Sequence, residues 1–391
     1  METIRKEISN KCIECKKCIN ECDFLRKYGN PKQISDTYIH KKEEYQNIAY
    51  ECSLCRLCES VCPVKINPAD LFLEMRRDAV RQGTFDYSKH TPLLAYEKWG
   101  TSKIFTWYGL PEKCDTIFFP GCTFSGTRPD RTMAVFQYLR RYIPHLGIVF
   151  DCCTKPSHDF GRQDYFSSMF GEMKSFLLKN GVRNVYVSCP NCYRVFKDYG
   201  GEISVKTVYE FFAGNGLQFL DKIDQAVAVH DPCALRFESK IHADIRELIG
   251  KVGLSIAEMT HAREETLCCG EGGDVTKSDP AFSANWLRLR KAEVGQHKMI
   301  SYCAGCVNHF SPHIPTSHIL DLLFDPVKAL SGKIQIGRGL ITYWNRLKLK
   351  RRFKRQFKTA IIRERIFYPE NGRLRNSIIK RLISFVSPGK V

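Results

Sequence analysis

Ten cysteines fall into two sets of five, and both sets keep one internal order: a cysteine alone, then two adjacent, then a Cys-x-x-Cys pair. The first set is Cys122, Cys152, Cys153, Cys189 and Cys192; the second is Cys233, Cys268, Cys269, Cys303 and Cys306. Corresponding cysteines lie 111, 116 and 114 residues apart, so the pattern reads as an internal repeat with the period of one small domain. Five thiols this far apart in sequence can meet only if several elements end at one place. Two similar lobes built this way and facing each other would set their cysteines across one cleft.

The residues between the cysteines predict those elements. Thr116–Phe119, Ile148–Phe150 and Val185–Val187 are short apolar runs, each closed by a cysteine turn, with helices expected over Arg131–Tyr142 and Tyr165–Leu178. The second repeat has the runs Ala226–Val229 and Met299–Tyr302 in the same places. Strand, cysteine turn and helix in alternation predict an α/β layered domain with cysteines at the strand ends. In His230-Asp-Pro-Cys233, Asp231 is expected to cap a helix and Pro232 to fill its first position. Cys233 would then sit in the first helical turn, where the dipole favours a thiolate.

The N-terminal region carries a different pattern. Cys12-x2-Cys15-x2-Cys18-x3-Cys22 is followed by Cys52-x2-Cys55-x2-Cys58-x3-Cys62, with Pro63 after the second run and Asp23 after the first. A cubane [4Fe–4S] cluster needs four thiolates, and three from one run wrap one face; in two-cluster ferredoxins the fourth cysteine of each run ligates the other cluster. That rule groups Cys12, Cys15, Cys18 and Cys62 on one cluster and Cys52, Cys55, Cys58 and Cys22 on the other. Two zinc sites are the competing reading, which the three-then-one spacing disfavours. The segment between the runs, including Tyr38–Tyr50, is compatible with helix, and a helix is expected over Ala69–Arg81 after Pro68.

The chain has 19 cysteines. The two runs and the two sets of five leave only Cys114 without an assignment, and it reads as a spare thiol. Cysteines in tight groups, with no apolar leader in Met1-Glu-Thr-Ile-Arg-Lys-Glu and no run of about 18 apolar residues, predict metal ligation in a cytoplasmic protein rather than disulfides.

These motifs together, over about residues 8–325, resemble the cysteine-rich CCG-domain iron–sulfur family. That family includes heterodisulfide reductase catalytic subunits and the iron–sulfur subunits of glycolate, lactate and anaerobic glycerol-3-phosphate dehydrogenases. The order here is similar to a heterodisulfide reductase small subunit fused to a catalytic one. The resemblance implies an α+β/α/β multidomain chain: a helical dicluster ferredoxin domain at 1–85, an aromatic linker at 86–113, CCG domains at 114–215 and 216–328, and a basic helical tail at 329–391. It implies a non-cubane [4Fe–4S] cluster on each set of five cysteines, with zinc as the alternative in one of them. It also implies reductive cleavage of a disulfide between the two sites, the second set being the stronger candidate for the catalytic one, or plain electron relay for a flavin-dependent dehydrogenase. One departure is Thr154 where the motif calls for glycine; its side chain would narrow the approach to the first set.

No Gly-x-Gly-x-x-Gly follows a predicted strand, so a flavoprotein or other redox partner is expected to supply the electrons. Among the flanking histidines, His158 and His230 are placed to donate protons to a leaving thiolate, but hydrogen bonding that orients the cysteine loops is preferred for these two and for His261 and His309.

Charge is concentrated at one end. Net charge is +18, and residues 331–391 hold 17 Lys and Arg against two Glu. Leu349, Phe353, Phe357 and Ile361 recur every four residues among basic ones, and Ile378, Ile379, Leu382, Ile383 and Val386 form a second stripe. Basic amphipathic helices of this kind lie on anionic membranes or dock to acidic partners, so peripheral attachment at the inner face of a membrane is expected and nucleic acid is disfavoured.

Overall fold

A computed structural model describes residues 1–215, 223 and 225–367. The second apolar stripe, 378–386, lies outside the described residues. Among the described residues ten strands form two sheets. The first contains β1 (Trp107–Leu110), β2 (Thr116–Phe119), β3 (Gly147–Phe150), β4 (Asn184–Val187), β5 (Ser204–Thr207) and β10 (Ile361–Arg363), in the order β10-β1-β3-β2-β4-β5. The second contains β6 (Ala226–His230), β7 (Ser255–Ile256), β8 (Lys298–Ser301) and β9 (Thr316–His318), in the order β7-β6-β8-β9. β3-β2-β4-β5 and β7-β6-β8-β9 are parallel throughout and share one topology.

These strands are short, the central ones buried and the edge strands β5 and β7 partly exposed, and helices lie between them. The expected helices run slightly longer than read, over Pro129–Tyr142 and Gln163–Lys179. In each sheet the chain leaves the first central strand in one direction and returns on its other side. This reversal opens a crevice beyond the carboxyl ends of the strands, the usual ligand position in open parallel sheets. In the first sheet the loops that carry the cysteines leave these ends: Cys122 follows β2, Cys152 and Cys153 follow β3, and Cys189 follows β4.

The N-terminal region is helical. Helices Glu2–Lys11, Pro31–Thr37 and Pro68–Gln82 pack around a small core of Ile8, Phe24, Leu25, Ile34, Leu71, Phe72 and Met75. The helix read at Ala69–Arg81 begins one residue earlier, with Asn67 as its cap, accepting from the Ala69 N–H at 3.1 Å.

Three expectations change. The segment 86–113 is more than a linker, since it supplies the helix Thr91–Gly100 and strand β1, which pairs antiparallel with both β3 and β10. Cys233 does not enter an α-helix. It opens a three-residue 3-10 turn, and the helix begins at Ser239. Asp231 caps nothing there, because its carboxylate takes a bidentate bond from Arg246 at 3.0 and 2.9 Å and another from the Tyr302 hydroxyl at 2.8 Å.

The third change concerns the basic tail. Its helix, Leu340–Gln356, stops before Phe357, and Ile361 lies in β10. Leu349 and Phe353 are in the core of the first domain, with the Phe353 ring 5.0 Å from Phe136 and 5.2 Å from Phe150. The apolar face read as a membrane anchor is therefore spent on intramolecular packing. Beyond β10, Arg365 is fully buried and pairs with Asp151 at 2.9 Å.

Candidate metal centres

In the N-terminal runs the backbone itself is bent around the thiols. Glu14 and Lys16 in the first run, and Leu54 and Arg56 in the second, all have φ between 51° and 65°. They occupy the same positions, immediately before and after the second cysteine of each run. Left-handed residues of this kind cost of order 1–3 kcal/mol each and persist only where the surroundings demand them. Here they turn three sulfurs of each run inward.

Two adjoining cavities result. One is lined by Cys12, Cys15, Cys18 and Cys62 and covered by Ile13, Val64 and Ile66. The other is lined by Cys22, Cys52 and Cys55 and covered by Phe24, Phe72 and Trp286, and Cys58 reaches both. The fourth cysteine of each run thus faces the other run's cavity. Burial pushes the thiol of Cys18 up to about 11 and that of Cys52 up to about 12, and drives that of Cys58 well above its ordinary range. As thiolates they need a nearby cation, which an iron–sulfur cluster provides.

The sets of five also assemble. In the first, Cys122 lies beside Cys152, and Cys153 beside Cys152 and Cys192. Cys189 caps the helix Pro190–Tyr199, whose first turn carries Cys192, so that positive helix end adjoins the sulfurs. Gly121 makes the approach possible. At φ 78°, a Cβ on it would lie 3.0 Å from the Cys189 Cβ and 3.2 Å from the Cys192 sulfur.

The second set repeats the arrangement. Cys268 lies beside Cys233 and Cys269, and Cys269 beside Cys306, all free thiols; Cys303 occupies the N-cap position of the helix Ala304–Phe310. In the first set Cys153, at about 6, and Cys189 are held low by neighbouring thiols, and in the second Cys269 is held well below the usual range, while Cys192 and Cys306 are driven up. Five desolvated sulfurs therefore share very few negative charges until a cation joins them. Among the described residues no three His, Cys, Asp or Glu side chains are arranged around a single ion.

Thr154 takes up the left-handed conformation that Gly270 adopts in the second set, with φ 55° against 89°. Its hydroxyl is buried and donates to the Cys153 carbonyl at 2.8 Å. The histidines divide. His158 is held by Asp159 at 2.9 Å and by the Tyr199 hydroxyl at 2.8 Å, and His261 by Glu293 and by Glu21 at 3.1 Å. The loop-orienting role read for His230 is not found: both its ring nitrogens are buried without a partner, and burial pushes it down to about 3. Nε2 of His309 is likewise unpartnered. Cys114 is buried, donates to the Thr116 carbonyl at 3.3 Å and touches none of the sites.

Three contacts join the centres. Cys55 and Cys268 pack in one buried cluster, so the second N-terminal cavity abuts the second set of five. Arg236 holds this junction, donating to the carbonyls of Cys55 at 2.9 Å, Glu264 at 2.5 Å and Thr266 at 2.8 Å. Between the two sets lies Tyr209, whose buried hydroxyl sits 2.7 Å from the Ser188 carbonyl and 2.8 Å from that of Tyr302, the residues preceding Cys189 and Cys303. Sequence reading missed Arg236 and Tyr209. Arg236 stands one turn past Cys233, a position that offers a faint signal; Tyr209 offers none.

Comparison with known proteins agrees with the resemblance read from the cysteines. Residues 8–66 match the model of the 4Fe-4S dicluster domain, and residues 227–311 that of the Cysteine-rich domain. The chain is similar to one subunit of the dihydromethanophenazine:CoB–CoM heterodisulfide reductase of Methanosarcina barkeri, at 23% identity over 77% of this chain and 81% of the relative. It is also similar to the probable iron-sulfur-binding oxidoreductase FadF of Bacillus subtilis, at 23% identity over 78% of this chain and 46% of the relative. A third relative is the EtfAB:quinone oxidoreductase of Syntrophomonas wolfei, at 23% identity over 57% and 36% of the two chains. The chain is an iron–sulfur redox protein with a dicluster domain and a cysteine-rich domain. Among the described residues no helix is long and apolar enough to cross a membrane.

Proposed function

We propose that this chain is the iron–sulfur subunit of a heterodisulfide-reductase-like oxidoreductase, and that electrons cross it from the N-terminal clusters to the paired five-cysteine sites. One cubane is held by Cys12, Cys15, Cys18 and Cys62, the other by Cys52, Cys55, Cys58 and Cys22. A non-cubane cluster is held by each set of five, and we read the matched strand order of the two sheets as an internal duplication. The observation that carries this reading is the packing of Cys55 and Cys268 in one buried cluster, which leaves no spacer between a cubane ligand and a ligand of the second set. The reaction is cleavage of a disulfide, which consumes two electrons and two protons and releases two thiols. The electrons come from a redox partner, for which a flavoprotein is the expected class.

The test is turnover of a mixed thiol disulfide by the anaerobically purified chain with a low-potential artificial reductant. Stoichiometric release of two thiols per disulfide supports the reading. Reduced clusters that leave the disulfide intact, yet are reoxidised by a flavoprotein or quinone, would refute it and make the chain a relay subunit.

Attachment to an anionic membrane surface is proposed through the opposite face of the helix Leu340–Gln356. Leu340, Ile341 and Trp344 are exposed near its start, and Lys348, Arg351, Arg352 and Arg355 continue the same face. Reversing the charge of Arg351, Arg352 and Arg355 should abolish sedimentation with phosphatidylglycerol vesicles. Unchanged sedimentation would refute this attachment.

A further inference from the structure

The C-terminal helix that packs on the first domain carries one side chain whose place there packing does not explain. Arg346 is only 5% exposed, and its Nη1 has no hydrogen-bond partner. Its Nη2 makes a single long bond to the Gly100 carbonyl at 3.3 Å. The guanidinium lies 4.9 Å from the Phe105 ring centre and 5.6 Å from that of Tyr96. It faces a small cavity whose other walls include Gly121, Cys122, Ser125 and Phe150. Arg346 and Cys152 also converge on Gly100, where a Cβ would meet the Cys152 Cβ at 3.3 Å and the Arg346 nitrogens at 3.5 and 3.7 Å.

A buried guanidinium with an unused donor is costly unless a negative charge faces it. The nearby carboxylates do not fill that role. Asp151 is paired with Arg365 at 2.9 Å, and Glu97 is fully buried and accepts from the Ser157 N–H at 2.9 Å. Among the described residues no carboxylate lies within 4.0 Å of Arg346. The second set of five is flanked differently. There Arg290 is paired with Glu293 at 3.0 Å, and Arg236 spends its donors on three carbonyls. The cavity beside Arg346 is small, and its walls include the Asp151 carboxylate as well as Phe105 and Phe150, so a substrate anion is not the charge it awaits.

We infer that Arg346 is a positioning residue that tunes the first five-cysteine site, raising the reduction potential of the cluster held by Cys122, Cys152, Cys153, Cys189 and Cys192. The inference rests on the proposed iron–sulfur occupancy of that site. One-electron reduction, with the electron supplied through the second set of five, adds one negative charge beside a fixed positive one. A cluster held there would offer Nη1 sulfur acceptors in either oxidation state, reduction would make them more negative and strengthen that contact, and no proton need move. A cation in a poorly solvated site acts strongly on such a charge.

The test is a potentiometric titration, followed by electron paramagnetic resonance, of the anaerobically purified full chain and its Arg346→Gln and Arg346→Lys variants, with iron counted in each. Arg346→Gln should favour the oxidised form of one signal at least tenfold at fixed poise, about 59 mV for a one-electron couple. Arg346→Lys should stay close to wild type, and the other signals should not move. An unchanged midpoint in Arg346→Gln at full iron content would overturn the inference. So would loss of iron from the first site in Arg346→Gln, which would make the arginine a strut rather than a tuning charge. If the first site of the wild-type chain contains no iron at all, the occupancy reading fails instead, and the iron count separates that case from the other two.

Discussion

Single residues set how closely the sulfurs can approach one another, and Gly270 and Thr154 form a natural pair for testing this. A Cβ on Gly270 would lie 2.8 Å from the Ser283 Oγ and 3.1 Å from its Cα, at a φ of 89° that L-residues rarely adopt. Gly270→Ala should therefore destabilise the chain by about 2 kcal/mol or more and lower iron content at the second set. Thr154 already carries a β-branched side chain in the left-handed region. Thr154→Gly exchanges relief of that strain for one lost hydrogen bond, so its stability in denaturant should differ from wild type by about 1 kcal/mol at most. Equal losses in the two variants would contradict the geometry described here.

Glu97 provides a pH signature. Burial raises its carboxyl from the ordinary 4.5 to about 7, against the pull of the Ser157 N–H and Arg162. A carboxyl raised in the folded state takes up protons on folding, so its contribution to stability is highest below pH 4.5 and falls as pH rises through 7. The loss amounts to at most about 3 kcal/mol, from about 1.36 kcal/mol per pKa unit. Glu97→Gln can keep the bond to the Ser157 N–H and cannot ionise. Anaerobic denaturant unfolding between about pH 5 and pH 8 should show the wild-type decline flattened in the variant; parallel curves would reject this assignment.

At the scale of elements, the cysteine-bearing strands were legible and the tail was not. The apolar runs at Thr116–Phe119, Ile148–Phe150, Val185–Val187 and Ala226–Val229 all lie in strands, because a four-residue buried strand closed by a cysteine turn has few other ways to fold. The stripe Leu349–Phe353–Phe357 was equally visible, but periodicity reports that a face is buried, not against what. The first domain's own surface turned out to be the partner. Phe353→Ala should accordingly cost about 3–5 kcal/mol, whereas Trp344→Ala, half exposed, should cost under about 0.5 kcal/mol. Chemical unfolding of the two variants distinguishes this from a tail independent of the domain, in which both would be silent. The strand β10 and the buried pair Arg365–Asp151 could not be read at all, since their partners lie more than 200 residues away.

Across the whole molecule, the cysteine register suggests groups of thiols, and the contacts between those groups came only with the fold. Nothing in the spacing of Cys55 and Cys268 says that they touch, nor that Arg236 and Tyr209 hold the junctions on either side of the second set. These junctions arrange the centres in a sequence: the Cys12 cavity, the Cys52 cavity, the second set, the first set. The order requires every centre to hold a redox-active metal cluster. Iron, acid-labile sulfide and zinc should therefore be counted per chain on anaerobically purified protein. Two cubanes and two four-iron centres predict about sixteen irons, as many sulfides, and no zinc. About eight irons with two zinc ions would show that the sets of five are structural, and would contradict an electron path that ends in them.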